Sequence, residues 1–303
     1  MAILPQRHPS LNHARILNHI APPTHLHSSA AAPPKPRRPD STTLATPTTT
    51  SRPPVLNDPT LQSTWSHRAW LASGCTTVLV SLAKSVAAAA ESHIWLEPII
   101  AGLIGYVLAD LGSGVYHWGI DNYGGADTPV FGSQIDGFQG HHKWPWTITR
   151  RQFANNLHAL ARATTFVVAP INLVCDDATA LGFVAACSGF IMFSQQFHAW
   201  AHTTKSRLPA VVAALQDGGV LVSRSQHAAH HRPPYNNNYC IVSGVWNEIL
   251  DGCKFFEALE MVIFFKLGVR PRSWTEPNSA WTEEPQTTSS LSEHRRKEIV
   301  SHQ

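Results

Sequence analysis

Histidine is the residue whose placement promises chemistry in this 303-residue chain, where 18 His stand beside 23 Lys and Arg. Imidazole both ligates metals and titrates near neutrality, so it seldom accumulates for packing alone. Four stretches hold it in pattern: YHWGID (His117, Asp121), FQGHHKWPW (His141, His142), QFHAWAH (His198, His202) and SQHAAHHRP (His227, His230, His231). His198 and His202 are i,i+4, which on a helix stacks two rings on one face at a separation one ion can bridge. His227, His230 and His231 fall at i, i+3, i+4, again on one face, and offer a pair and a neighbour that can serve two ions. His117 and Asp121 repeat the i,i+4 spacing. The adjacent His141 and His142 point about 100° apart on a helix, so both bind metal only if they address different ions or a loop turns them inward. Imidazole suits iron and zinc about equally, so ligand type does not choose between them. Number does: a catalytic zinc needs about three protein ligands and an open position, whereas eight His and a carboxylate are enough for two ions of higher coordination.

The other histidines carry less. His158 has no partner at helical spacing and reads as structural or interfacial, and His67 and His93 belong to no pattern. His8, His13, His19, His25 and His27 lack both helical spacing and an apolar frame. The five cysteines stand singly without a C-x-x-C, which signals neither a disulfide framework nor a thiolate zinc site, and they read as small apolar fillers.

Elements must position these side chains. With 43% apolar and 14% charged residues the chain is not mainly disordered, and a net charge of +3 lacks the dense positive field of a dedicated nucleic-acid binder. Four apolar segments, about 69–90, 94–116, 159–175 and 177–199, approach the roughly 20 residues that cross a bilayer core. Only Lys84, Asp110 and Arg162 lie well inside them as charges; the third segment is short and interrupted by Arg162 and Pro170. The expected fold is therefore all-α, an integral membrane four-helix bundle with a histidine-ligated cap on one face. The stretch Phe255 to Val269 mixes Glu257, Glu260 and Lys266 into its apolar pattern and reads as interfacial.

Four spans put all the patterned His and Asp121 on one side of the membrane. The opposite face receives only short links near 91–93 and 175–177, with Glu91, Asp176 and Asp177 and no Lys or Arg. The histidine face holds Lys143, Arg150, Arg151, Lys205, Arg207, Arg224 and Arg232, so the positive-inside rule turns it toward the compartment of insertion. Residues 1–56 are basic and hydroxyl-rich with Asp40 as their one acid, the composition of a plastid or mitochondrial transit peptide. Residues 57–269 form the expected membrane domain and 270–303 a polar tail. In a plastid the histidine face is stromal.

The strings LADLGSGVYHWGIDNYG, FQGHHKWPWTITRRQFANN, FSQQFHAWAHT and SRSQHAAHHRPPYNNNYCIVSGVWN resemble the plastid fatty acid desaturases that act on phosphatidylglycerol, a family related to the plasmanylethanolamine desaturases; the likeness runs over about residues 57–277. The resemblance implies a multi-pass thylakoid or envelope enzyme with two non-haem Fe, held by His117, Asp121, His141, His142, His198, His202, His227, His230 and His231, which are then also the catalytic set. It implies a palmitoyl-glycerolipid 3-(E)-desaturase: O2 as co-substrate, ferredoxin as electron donor, and a Δ3-trans double bond placed in palmitate at sn-2 of phosphatidylglycerol. The chain has H-x3-D where wider membrane desaturases have H-x3-H, and Q-x-H-H at Gln139 for H-x-x-H-H, which leaves contact of Asp121 and Gln139 with metal open.

An unactivated methylene yields hydrogen only to an oxidant stronger than any side chain, which is why a metal centre must activate O2. The acyl chain is expected to enter between the second and fourth spans, with Arg150, Arg151 and Arg224 near the anionic head group and Trp144 and Trp146 as interface anchors. A diiron lipid hydroxylase shares the ligand set. A membrane zinc hydrolase would need one ion and about three His. A metal or proton carrier would want ionisable residues across the bilayer, where only Asp110 and Arg162 are candidates.

Overall fold

The computed structural model describes residues 58–277; the expected transit peptide and the end of the expected tail lie outside them. The described residues form α1 (Trp65–Ser92), α2 (Leu96–Asn122), α3 (Gly132–Lys143), α4 (Thr147–Arg150), α5 (Phe153–Val174), α6 (Ala178–His202), α7 (Ala210–Asp217), α8 (Arg224–His230), α9 (Asn247–Gly252) and α10 (Phe255–Leu267), with no strand among them. Helices α1, α2, α5 and α6 are long and apolar enough to cross a membrane. The molecule is a membrane helical bundle, all-α as expected.

Local chemistry fixes the ends of the spans. Thr64 caps α1 in a reciprocal box: its hydroxyl accepts from the His67 amide at 3.2 Å, and His67 Nδ1 accepts from the Thr64 amide at 3.3 Å. The His67 ring also stacks on His158, centroids 4.0 Å apart, so these two histidines are occupied with each other. Asp177 caps α6 by accepting from the Ala180 amide at 2.7 Å. Helix α5 starts six residues before the apolar run that marks it in the sequence. Its first turn is polar because its amides face protein: Asn155 Nδ2 donates to the Thr60 and Gln62 carbonyls at 2.8 and 2.7 Å, and Asn156 Nδ2 to the Gln195 carbonyl at 2.9 Å. Pro170 is accommodated inside α5, which ends one turn later. Lys84, which counts in the sequence as a charge within a span, reaches that end, donating to the Asn172 and Cys175 carbonyls at 2.6 and 2.8 Å and meeting Asp176 at 2.9 Å. Its stem stays in the apolar layer while its head satisfies orphan helix carbonyls.

Helix packing relies on small residues, as it must where lipid offers no hydrophobic drive between helices. A Cβ on Gly105 of α2 would stand 2.8 Å from the Phe183 carbonyl of α6, and one on Gly182 of α6 2.9 Å from the Pro98 carbonyl of α2. Backbones therefore touch along the α2–α6 seam, and the expected acyl-chain entry between these spans is closed at this level. Polar side chains face inward: Ser81 and Asn172 join at 2.6 Å, and Ser85 donates to the Ala178 carbonyl at 2.6 Å. Leu79, Leu103, Phe166 and Leu173 point outward and exposed, as a lipid-facing surface requires.

The remaining helices build a cap on the end of the bundle where α2 and α6 finish. Val212 of α7 packs with Phe197, Val222 and Val242, while Trp118, Tyr239, Leu250 and Phe256 join α9 and α10 to α2. With 13 residues α10 spans about 20 Å, short of the roughly 30 Å hydrocarbon layer. Residues 272–274, inside the stretch read as a polar tail, dock instead: the Ser273 amide donates to Asn122 Oδ1 at 3.0 Å and Trp274 Nε1 to Glu260 at 2.9 Å. Cys253 is exposed, so the filler role expected of the cysteines does not fit it.

Candidate metal centre

Helices α2, α3, α6 and α8 deliver the nine patterned side chains to one buried focus, and they arrive as two groups. His141, His198, His202, His227 and His231 form one; His117, Asp121, His142 and His230 form the other; within each, one potential donor atom per residue lies within 4.8 Å of every other. The i,i+4 pairs each stay together. The adjacent His141 and His142 divide between the groups, as the 100° between neighbours on a helix dictates. In α8, His227 and the following His231 join the first group while His230 joins the second.

The second group is arranged around one carboxylate oxygen. Asp121 Oδ2 lies 3.2 Å from His117 Nε2, 3.0 Å from His142 Nε2 and 3.3 Å from His230 Nε2. His117 Nδ1 stands 2.9 Å from the Tyr239 carbonyl oxygen, and His230 Nδ1 2.7 Å from that of Asn237. A carbonyl can only accept, so both rings carry their proton on Nδ1. In the neutral ring Nε2 is then a bare lone pair, and two such lone pairs face the same carboxylate. That juxtaposition is repulsive unless a cation lies among them, and both Nε2 atoms have no hydrogen-bond partner.

The first group repeats the argument with nitrogen alone. His202 Nε2 is 2.8 Å from His141 Nε2 and 2.7 Å from His227 Nε2, and His227 Nε2 is 3.1 Å from His231 Nε2. A ring nitrogen either donates or accepts, so at most two of these three contacts can be well-formed N–H···N bonds, and both nitrogens of His198 are buried without a partner. Orphaned buried polar atoms are costly. Two nitrogens each about 2.1 Å from one ion stand about 3 Å apart when their bonds are at right angles, close to the separations here. The donor sets therefore fit two cations of borderline character, one site all imidazole and the other mixed with a carboxylate.

Burial keeps four of the cap histidines, His141, His227, His230 and His231, neutral and ready to donate. It holds the imidazolium pKa of His141, His227 and His231 below the ordinary histidine value, and the other rings push the same way. His230 is pushed down to about 4, by burial first and by His117 next, against the opposing pull of Asp121. A metal ligand must be deprotonated, so depressed basicity lowers proton competition.

Gln139 is accounted for away from the focus: its amide donates to the Ile120 and Gly124 carbonyls at 3.2 and 3.4 Å. Arg150 lies over the Trp146 ring at 4.6 Å, and Arg224 Nη1 donates to the His202 carbonyl at 3.3 Å.

Sequence reasoning missed the groups that hold the histidines. Asp110 Oδ1 accepts from the amides of Val242, Ser243 and Gly244 at 3.0, 2.8 and 3.0 Å, and Ser113 Oγ from the Ile241 amide at 3.0 Å. This cradle pins the 239–246 loop and so fixes the Tyr239 carbonyl beneath His117. A charge inside a span was a signal that Asp110 had a partner, but a row of backbone amides leaves no mark in sequence. With its carboxylate so engaged, Asp110 is not free to serve a conduction path. Glu260, buried on α10, accepts from Trp118 Nε1 at 3.0 Å and Trp274 Nε1 at 2.9 Å. Burial raises its pKa while these donors oppose the shift.

Residues 106–274 match the lipid desaturase domain family, a stretch that contains all nine side chains. The chain is 69% identical over 221 residues to fatty acid desaturase 4, chloroplastic, of Arabidopsis thaliana, covering 73% of this chain and 68% of the relative. It is 61% identical over 231 residues to fatty acid desaturase 4-like 1, chloroplastic, of the same plant, covering 76% and 78%. Plasmanylethanolamine desaturase of Myxococcus xanthus is 34% identical over 188 residues, covering 59% and 64%. No solved structure matches the chain.

Proposed function

The chain belongs to the lipid desaturase family, and from that premise we propose that it is a chloroplast membrane oxidoreductase that places a Δ3-trans double bond in palmitate at sn-2 of phosphatidylglycerol. In this reading the nine side chains hold two non-haem irons, ferredoxin supplies electrons, and the cap faces the stroma from a thylakoid or envelope membrane. The observation that carries it is the convergence of two donor groups at the cap end of a lipid-facing bundle. A single-zinc hydrolase would leave one complete group without a task.

Bound iron supplies what no side chain can, the reductive activation of dioxygen. The balance is simple: dioxygen takes two electrons and two protons from adjacent methylenes, as two hydrogen atoms, and two electrons and two protons from donor and solvent, and leaves as two waters. The chain's own part is positional. Tyr239 and Asn237 hold His117 and His230 with Nε2 inward. Burial of His117, His198, His227 and His230 keeps bulk water from the reacting carbons.

The test is expression in a host that makes phosphatidylglycerol, with plastid ferredoxin supplied and lipids profiled by position. The expected product is trans-3-hexadecenoate at sn-2 of phosphatidylglycerol. Unaltered 16:0 at that position in every lipid class, with protein present and iron bound, overturns the assignment; a hydroxylated acyl chain transfers it to the hydroxylase reading.

A further inference from the structure

A cleft opens onto the first donor group. It lies between α3, α4, the start of α5 and the end of α6, and His141, His198 and Arg151 are among its lining residues. Its walls are mainly polar, with Gln134, Thr147, Asn156 and Gln195 beside the apolar Phe138 and Ile148.

Arg151 differs from the two other arginines on this face. Arg150 is taken up by Trp146 and Arg224 by the His202 carbonyl. Among the described residues Arg151 makes no ion pair within 4.0 Å. Asp58 is near enough to act on it electrostatically, but that carboxylate is engaged by the Thr60 amide and hydroxyl at 2.8 and 2.7 Å. The guanidinium rests against α3 at Gly137, where a Cβ would lie 3.9 Å from Arg151 Nη2. Gly137 and His141 are one turn apart on the same face, about 6 Å along the axis.

We propose that this cleft takes the phosphate-bearing end of a membrane glycerophospholipid, with Arg151 as the anion anchor, so that the acyl carbons nearest the ester, not those in mid-chain, lie beside His141 and His198. The inference rests on the desaturase reading above and adds the residue that selects the lipid and sets the carbon position. A guanidinium fork matches phosphate in shape and charge. The first acyl carbons are only a few bonds from the phosphorus, so an anchor one helical turn from the donor groups fits reaction near the ester. Mid-chain reaction would need a long apolar slot running past the metal centre.

Binding without turnover separates this idea from the assignment of the reaction. The full chain, purified with metal content measured, is titrated with short-chain phosphatidylglycerol, with phosphatidylcholine of equal chain length, and with inorganic phosphate. Wild type should prefer phosphatidylglycerol, whose phosphate charge is uncompensated, over phosphatidylcholine, whose choline cation neutralises it. Arg151→Gln should bind phosphatidylglycerol about tenfold more weakly at unchanged metal content, with little change for Arg150→Gln. Arg151→Lys keeps a charge and should fall between them, and it decides the matter if the glutamine variant does not hold metal. Unchanged binding in Arg151→Gln, or in Arg151→Lys where it stands alone, overturns the proposal. So does a wild type without head-group preference, or phosphate binding as tight as lipid binding, which assigns the cleft to a free anion. Failure of the reaction test alone would leave these affinities as predicted.

Discussion

His117 donates from Nδ1 to the Tyr239 carbonyl oxygen at 2.9 Å, a contact between residues 122 positions apart. It sets the tautomer of a ring in the second donor group from a loop that carries none of the nine side chains. The geometry of the metal centre therefore depends on the 239–246 loop as much as on its own histidines, and the consequences can be measured.

Replacing His230 by alanine removes one of the three imidazole nitrogens around Asp121 Oδ2. Metal content should fall, and product by about 100-fold or more, since losing even an outer partner of a metal ligand costs about 10–100-fold. Elemental analysis beside lipid profiling checks both; full metal content with full activity would remove His230 from the ligand set.

Asp110→Ala leaves the amides of Val242, Ser243 and Gly244 buried without an acceptor. The cost should be about 1–3 kcal/mol for each amide that finds no new partner. A lower melting temperature in detergent, partly recovered by added metal through mass action, is the expected result. An unchanged melting curve would mean that the loop is held otherwise.

Gly114 of α2 lies so close to the loop that a Cβ there would overlap Cys240 Sγ. Gly114→Ala should destabilise by about 1–3 kcal/mol through overpacking. Adding Cys240→Ala should return much of that loss, and a double-mutant cycle of thermal melts measures the coupling.

His141, His227, His230 and His231 make stability of the metal-free protein depend on pH. Their folded-state pKa values lie below the unfolded value, with His230 at about 4. Above about pH 6.5 the rings are neutral in both states and the native advantage is complete. Below it the unfolded chain takes up protons that the folded chain refuses, so stability declines as pH falls toward 4, by about 1.4 kcal/mol per pH unit for each such ring. Melts of metal-free protein between pH 8 and 4 test this range; a flat profile would show that the rings already protonate in the fold.

The spans were legible because a membrane helix must be apolar for some twenty residues, a demand that no tertiary context relaxes. The start of α5 was not, since Asn155 and Asn156 look like loop residues until their carbonyl partners across the fold are known. The histidine spacings foretold which rings share a group, because helical periodicity acts over one turn. They could not foretell the pairing of α3 with α8 or of α6 with α8, which depends on how the cap folds over the bundle. The cradle at Asp110 and the role of the Tyr239 carbonyl stayed hidden for a plainer reason: backbone groups are the same at every residue.

The division of neighbouring rings between the two groups also constrains assembly. His141 and His142 share α3, and His227, His230 and His231 share the end of α8, yet each helix serves both groups. No half of the cap can be folded around one ion while the other half waits. Loading the first site should already order most of the second, making occupancy all-or-none in character, and a protein starved of metal would divide into fully charged and empty molecules with few carrying a single ion.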